Sequence, residues 1–401
     1  MELNAQERLK VGEVVEVEIG PIAHGGHFVA RYNNQVIFVR HGITGEKVKI
    51  KVTAVNSKIA HADVVEVLAA SVSRVNPPCR YAGRCGGCDF QHIEINKQRQ
   101  LKSEVVKEQF LRIGKIDLAQ LGFELSVEEV EPVNGLHWRT RMDFAVSPGG
   151  KIGFFGARSN EVVEIDDCLI ADERINVSEL AKRGWKSDAR VEVAVSSTNE
   201  LSVVRSGRSI SGPTQLVEQV AGNSLKISPI AFWQSHRIAP ITLVKAVLSQ
   251  LEIKKSDHIC DLYSGVGLFA AALINEISEQ GFITMIESDK TAVSDARRIF
   301  ANRKNIKILQ GLVAQQLPIV KRADLILLDP PRTGAGEIVI KQITKFRPRK
   351  IIYVACDPAS LARDAKTLLD SGYKLDHISA YDLFPMTQHI ECVAGFSPAK
   401  G

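Results

Sequence analysis

Two kinds of hydrophobic periodicity divide the chain. Over residues 9 to 68 apolar and polar positions alternate in short runs, Val14 to Ile19, Phe28 to Tyr32, Val36 to Val39, Lys47 to Val55 and Val64 to Leu68, punctuated by glycines at 20, 25, 26, 42 and 45. A period of two marks half-buried strands, so this region predicts a small OB-like β-barrel, either an oligonucleotide grip or a structural cap. From Asn96 to Leu111 the residues Leu101, Val105, Val106, Phe110 and Leu111 recur at helical spacing, which predicts a helix carrying its basic side chains outward. Strand-like segments return at Met142 to Val146, Ile152 to Phe155, Val162 to Ile165, Val191 to Val195 and Leu201 to Val204, giving a central α+β region.

After about residue 226 apolar runs alternate with helical stretches: His258 to Tyr263, Phe282 to Glu287, Ile306 to Leu309, Asp324 to Asp329, Lys350 to Ala355, Leu375 to Ala380 and Glu391 to Phe396. Seven strands with intervening helices predict an α/β doubly wound sheet, its last two strands an antiparallel pair joined through Pro385. Three domains are expected, at residues 1–70, 71–225 and 226–401.

Composition changes this picture little. With 401 residues, 45% apolar and 24% charged, the chain is ordinary for a protein with real cores. No apolar run approaches the roughly 18 residues of a membrane span. The first thirty residues lack the basic-then-apolar pattern of a signal peptide, so a cytosolic protein is expected. A net charge of +5 points only weakly to a polyanion. Its distribution says more: residues 74 to 115 hold nine Lys or Arg against four acids, which suits a solvated helix face or a nucleic-acid contact.

Seven cysteines in a cytosolic chain favour metal binding, catalysis or burial over disulfides. Cys79, Cys85 and Cys88 fall within ten residues, and Gly86 and Gly87 let the backbone turn tightly around whatever the thiolates hold. Cys168 is the nearest fourth ligand. Four thiolates suit tetrahedral zinc or an iron–sulfur centre, and three close cysteines with one remote lean toward 4Fe–4S.

In the last domain Asp261 to Ala270 contains Ser264-Gly265-Val266-Gly267 between a strand and a helix, and Glu287 ends the next strand. Such a loop and acid hold the ribose of NAD or of S-adenosylmethionine equally well. Asp329-Pro330-Pro331-Arg332 at the fourth strand end favours a methyltransferase acting on nucleobases or amides. Phe232-Trp233-Gln234 either reaches this pocket or packs. Cys356, just past another strand end, is placed as a nucleophile facing a bound base, whereas Cys260 and Cys392 lie inside apolar strands.

Together these stretches resemble the RNA uracil-5-methyltransferase family, in the branch with an N-terminal TRAM barrel and an iron–sulfur cluster. The likeness covers nearly the whole chain: residues 9 to 68, Cys79/Cys85/Cys88, Gly153-Phe154-Phe155 with Ser159 and Cys168, Phe232-Trp233-Gln234, Asp261 to Phe269, Asp329 to Arg332, Cys356 to Asp364, and Thr387 to Glu391. It implies a class I methyltransferase fold, with Gln234, Tyr263, Glu287 and Asp329 lining the S-adenosylmethionine site. It further implies Cys356 as nucleophile, Glu391 as base, a 4Fe–4S cluster on Cys79, Cys85, Cys88 and Cys168, and ribosomal or transfer RNA as partner.

The chemistry agrees with that assignment. C5 of uracil is a weak nucleophile, and thiolate addition at C6 creates an enolate that takes the methyl at C5 before a base removes the C5 proton. Two departures stand out. Members often have Ser-Cys-Asn-Pro where this chain has Ala355-Cys356-Asp357-Pro358, and Cys-Gly-x-Gly-Asn or Thr where it has Ser264-Gly265-Val266-Gly267-Leu268. Asp357, if unpaired, opposes thiolate formation. The competing readings are a non-catalytic RNA-binding protein of the same fold, disfavoured by intact Cys356 and Glu391, and an NAD-dependent oxidoreductase, disfavoured by Asp329 to Arg332. No obligate protein partner is indicated.

Overall fold

The structure, a computed structural model, describes residues 8–56 and 58–399; the expected outer domain limits at 1 and 401 lie outside the described residues. The N-terminal alternation folds into one six-stranded curled sheet of Val14–Glu18, Ile22–Ala23, His27–Tyr32, Gln35–Arg40, Lys47–Val55 and Ile59–Ala69. Phe28, Ile37, Val39, Val48, Ile50 and Ala60 are fully buried between its faces. Hydrogen bonds from Gly20 N–H to the Val29 carbonyl and from Val29 N–H to that of Pro21 tie the first strand end to the third strand, which curls the sheet. Six strands replace the expected five because Ile22–Ala23 is too short to show a period.

Glu94 caps the next helix, Ile95–Gln109, by accepting the N–H groups of Asn96 and Lys97. The helix ends in a wide turn at Phe110–Gly114. Its basic residues do not all face outward as expected. Lys107 is exposed, but Arg99 pairs with Glu129 at 2.5 Å, and Lys102 is 1% exposed. The Lys102 ammonium lies 2.6 Å from Asp382 and 3.0 Å from the Phe384 carbonyl. That contact overrides the preference for water, because the helix packs across the loop that follows strand Tyr373–Tyr381.

A second antiparallel sheet runs in the order Val162–Glu164, Ile152–Phe155, Arg141–Val146, Arg190–Val195, Leu201–Arg205, Arg208–Ser211. A hairpin, Leu216–Val220 with Asn223–Ile227, follows, and its Leu216, Leu225 and Ile227 share a core with Val266, Phe269 and Met285.

The last sheet has the expected seven strands and an eighth. Its order is Ile306–Gln310, Phe282–Glu287, His258–Leu262, Leu325–Leu328, Lys350–Ala355, Glu391–Pro398, Tyr373–Tyr381 and Val127–Glu128. The first five are parallel to one another, Glu391–Pro398 is antiparallel to both neighbours, and Val127–Glu128 joins the far edge from outside the 226–401 segment. Helices cover both faces, which is why these strands are continuous apolar runs. No helix among the described residues is long and apolar enough to cross a membrane.

Candidate active site

In an open parallel sheet, ligands bind beyond the carboxyl ends of the strands, where the strand order reverses. Here the reversal falls between His258–Leu262 and Leu325–Leu328, and Tyr263, Glu287, Asp329 and Cys356 all stand at strand ends on that side. Register brings in the last residue. The antiparallel ladder ends at the pair Ala355–Cys392, so Cys356 and Glu391 each adjoin that last pair, and the Glu391 charge acts on the Cys356 thiol.

These groups are buried together, and burial sets their chemistry. Glu391 is 3% exposed, and burial, reinforced by the Asp329 charge, pushes its pKa well up. Burial raises Asp329 to about 7. The Cys356 thiol is pushed up to about 12, first by burial and then by the Glu391 and Asp329 charges, with Arg332 opposing. Asp357, the N-cap of helix Pro358–Asp370, receives the Ser360 N–H on Oδ1 and the His24 Nε2–H on Oδ2, both at 2.7 Å. The negative charge expected to trouble the thiol is therefore paired, by a residue from the N-terminal barrel.

On the donor side Tyr263 has φ 59, costly for an aromatic residue, and Gly265 and Gly267 are also left-handed. Glu287 accepts the Gly265 N–H at 2.9 Å and, on its other oxygen, those of Ser288 and Asp289. Asp261 is fully buried; one oxygen takes the Ala270 N–H, while among the described residues Oδ1 has no partner and the Ser264 hydroxyl is likewise unpartnered. Two orphaned polar atoms at a strained glycine loop fit a polar ligand that completes them. Trp233 shares a core with Val266 and Phe269, and Gln234, next to it in the chain, is buried.

A cavity of about 100 Å³, room for a single base, opens between the barrel loop at His24 to Gly26 and the Cys356 turn. Its far wall is the segment up to Ile390, pinned from the other domain. Gln98 donates to the carbonyls of Phe90 and Ile93 and accepts the Met386 N–H, while Phe90 N–H donates to the Met386 carbonyl. Arg332 donates to His389 Nε2 at 3.2 Å, and burial, with Arg332 next, lowers His389 to about 4, so the ring is neutral. Buried Asp364 accepts from the Tyr353 hydroxyl and from the Ala335 and Gly336 N–H groups, fixing the turn after Asp329-Pro330-Pro331-Arg332. His24, Gln98, Lys102 and Asp261 were not singled out as site residues from sequence; only Asp261 carried a local signal, as the acid opening the glycine loop.

Cys79, Cys85, Cys88 and Cys168 line one further small cavity with Arg139 and Gln91. A bridge between Cys85 and Gly156 docks the cysteine loop on strand Ile152–Phe155, and a Cβ on Gly86 would fall 2.6 Å from the Phe155 carbonyl oxygen, so glycine is required there. Burial raises Cys88 to about 12 and Cys168 to about 11. Among the described residues no three His, Cys, Asp or Glu side chains draw close enough to hold a single metal ion. Cys260 and Cys392 are fully buried within strands.

The sheet order, the glycine loop and the acids at its strand ends define a class I S-adenosylmethionine-dependent methyltransferase. Three family profiles match: TRAM domain over residues 8–65, Methyltransferase small domain over 243–346, and tRNA (Uracil-5-)-methyltransferase over 301–396. An RNA methyltransferase of Streptomyces avermitilis is 40% identical over 97% of this chain and 99% of its own. One from Corynebacterium glutamicum is 30% identical over 97% and 98%. The fold is that of Pyrococcus abyssi tRNA (uracil-54, C5)-methyltransferase in complex with S-adenosyl-L-homocysteine, at TM-score 0.70 and 24% identity over 94% of this chain and 99% of that one. The chain belongs to the RNA uracil-5-methyltransferase family and is an S-adenosylmethionine-dependent RNA methyltransferase.

Proposed function

We propose that this enzyme methylates C5 of a specific uridine in structured ribosomal or transfer RNA, with Cys356 as nucleophile and Glu391 as base. The observation that supports the reading is that Cys356 and buried Glu391 both adjoin the last ladder pair, Ala355–Cys392, and that Cys356 lines a cavity of about 100 Å³. A base flipped into that cavity leaves the helix stack and reaches the thiol.

Gln234, Tyr263, Glu287 and Asp329, with the unpartnered Asp261 Oδ1 and Ser264 hydroxyl, would hold S-adenosylmethionine, which would supply an electrophilic methyl. The Cys356 sulfur gives up its proton to solvent and bonds to C6, and the C5=C6 electron pair moves onto the ring as an enolate. C5 then bonds to the methyl as the methyl–sulfonium bond breaks, its electron pair stays on the donor sulfur, and S-adenosylhomocysteine is the leaving group. Glu391 takes the C5 proton, the C6–S bond breaks, and the thiolate returns. Burial keeps Glu391 and Asp329 hard to ionise in the free enzyme; they gain a counter-charge with a cationic donor in the same crevice, which favours the carboxylate the proton transfer needs.

The four thiols around one cavity, with the cationic Arg139 among them, support a 4Fe–4S cluster on Cys79, Cys85, Cys88 and Cys168. Such a thiol set and an RNA substrate both suit the reducing cytosol. Incubation with total RNA and a methyl-labelled donor tests the reaction: label recovered as 5-methyluridine supports it, and label at another position, or none, overturns it. Anaerobic purification is expected to give a brown protein with iron and sulfide; a colourless zinc protein contradicts the cluster.

A further inference from the structure

Asp357 uses both carboxylate oxygens, one to cap its helix and one toward His24, whose ring comes from a position 333 residues away in the chain. His24 sits between strands Ile22–Ala23 and His27–Tyr32, on a loop that continues through Gly25 and Gly26. A Cβ added to Gly26 would lie 2.6 Å from Gln388 Cβ, so the loop rests directly on the catalytic segment. The barrel thus forms one wall of the base cavity and touches the acid next to the nucleophile.

We propose that His24 is a positioning residue for Cys356: by donating to Asp357 at 2.7 Å it offsets the carboxylate beside the thiol and locks the barrel loop onto the nucleophile turn. The proposal rests on the reading of Cys356 as nucleophile. An unpaired carboxylate at this place disfavours the thiolate, and the Asp357 charge already acts on the Cys356 sulfur in that direction. The hydrogen bond His24 donates to Asp357 raises the His24 pKa, and although burial opposes it, the same bond holds Asp357 below its usual range. Both partners therefore favour the ionic form. An asparagine at 357 would carry no charge to offset, so the histidine and the acid are read as a matched pair.

The test is the rate of covalent adduct formation on an RNA oligonucleotide containing 5-fluorouridine, with S-adenosylmethionine, for the wild type, His24→Ala, Asp357→Asn and the double variant. Asparagine also caps a helix, so the turn is preserved. His24→Ala is expected to slow adduct formation at saturating RNA by about tenfold, one pKa unit on the thiol, and to change it less than about twofold in the Asp357→Asn background. An equal cost in both backgrounds, or a cost confined to the RNA concentration at half-saturation, overturns the pairing. Absence of any wild-type adduct overturns the nucleophile reading itself, a different and distinguishable failure.

Discussion

Lys102→Met removes one ammonium and keeps the apolar stem in place. In the wild type that ammonium lies 2.6 Å from Asp382 and 3.0 Å from the Phe384 carbonyl, with both side chains essentially inaccessible to water. After the substitution a buried carboxylate and a carbonyl are left without their donor. Breaking a buried ion pair from one side costs about 3–5 kcal/mol, and about 1–3 kcal/mol of that is the orphaned carbonyl. Taking Asp382 away as well, as Lys102→Met/Asp382→Leu, is expected to recover the part due to the stranded carboxylate. Urea unfolding of the wild type and both variants, compared at equal slope, gives the numbers. A single variant within about 1 kcal/mol of wild type, or a double variant as unstable as the single, refutes the claim that this pair clamps the loop after Tyr381 to the helix.

Other expectations concern the chemistry directly. With its thiol pushed up to about 12, Cys356 in the free enzyme should alkylate with iodoacetamide at a rate still climbing about tenfold per pH unit beyond pH 9, followed by mass spectrometry. A plateau near the ordinary cysteine pKa of about 8.5 contradicts the burial argument. Glu391→Gln should still add sulfur to C6 but leave the C5 proton in place, so a covalent complex with unmodified RNA accumulates while turnover falls by about 10² or more. Near-normal turnover of that variant would remove Glu391 from the proton transfer.

Sequence pattern located the doubly wound sheet closely because its strands are covered on both faces and must be apolar throughout; Phe282–Glu287 and Lys350–Ala355 keep the bounds expected of them. Short or partner-defined elements were silent. Val127–Glu128 is a strand only because Ala380 and Tyr381 pair with it. The hairpin from Leu216 to Ile227 is hidden because its first strand, Leu-Val-Glu-Gln-Val, buries Glu218 between Leu216 and Val220 and so shows no apolar–polar alternation, and its turn places Ala221 rather than asparagine at φ 48. Polar residues on a helix read as solvent-facing unless their partner is known, and the partner of Lys102 lies 280 residues away. The same distance blindness hid His24, since nothing local marks a loop histidine as the counter-ion of an acid in another domain. Strand-end residues were legible because a βα turn carries its chemistry within a few positions.

The most direct measurement is peptide mapping by mass spectrometry of the adduct formed between the enzyme, S-adenosylmethionine and 5-fluorouridine RNA. The modified nucleotide is expected on Cys356 alone, with no adduct from Cys356→Ala. Attachment to any other residue, or an adduct that survives Cys356→Ala, would contradict the assignment of Cys356 as nucleophile.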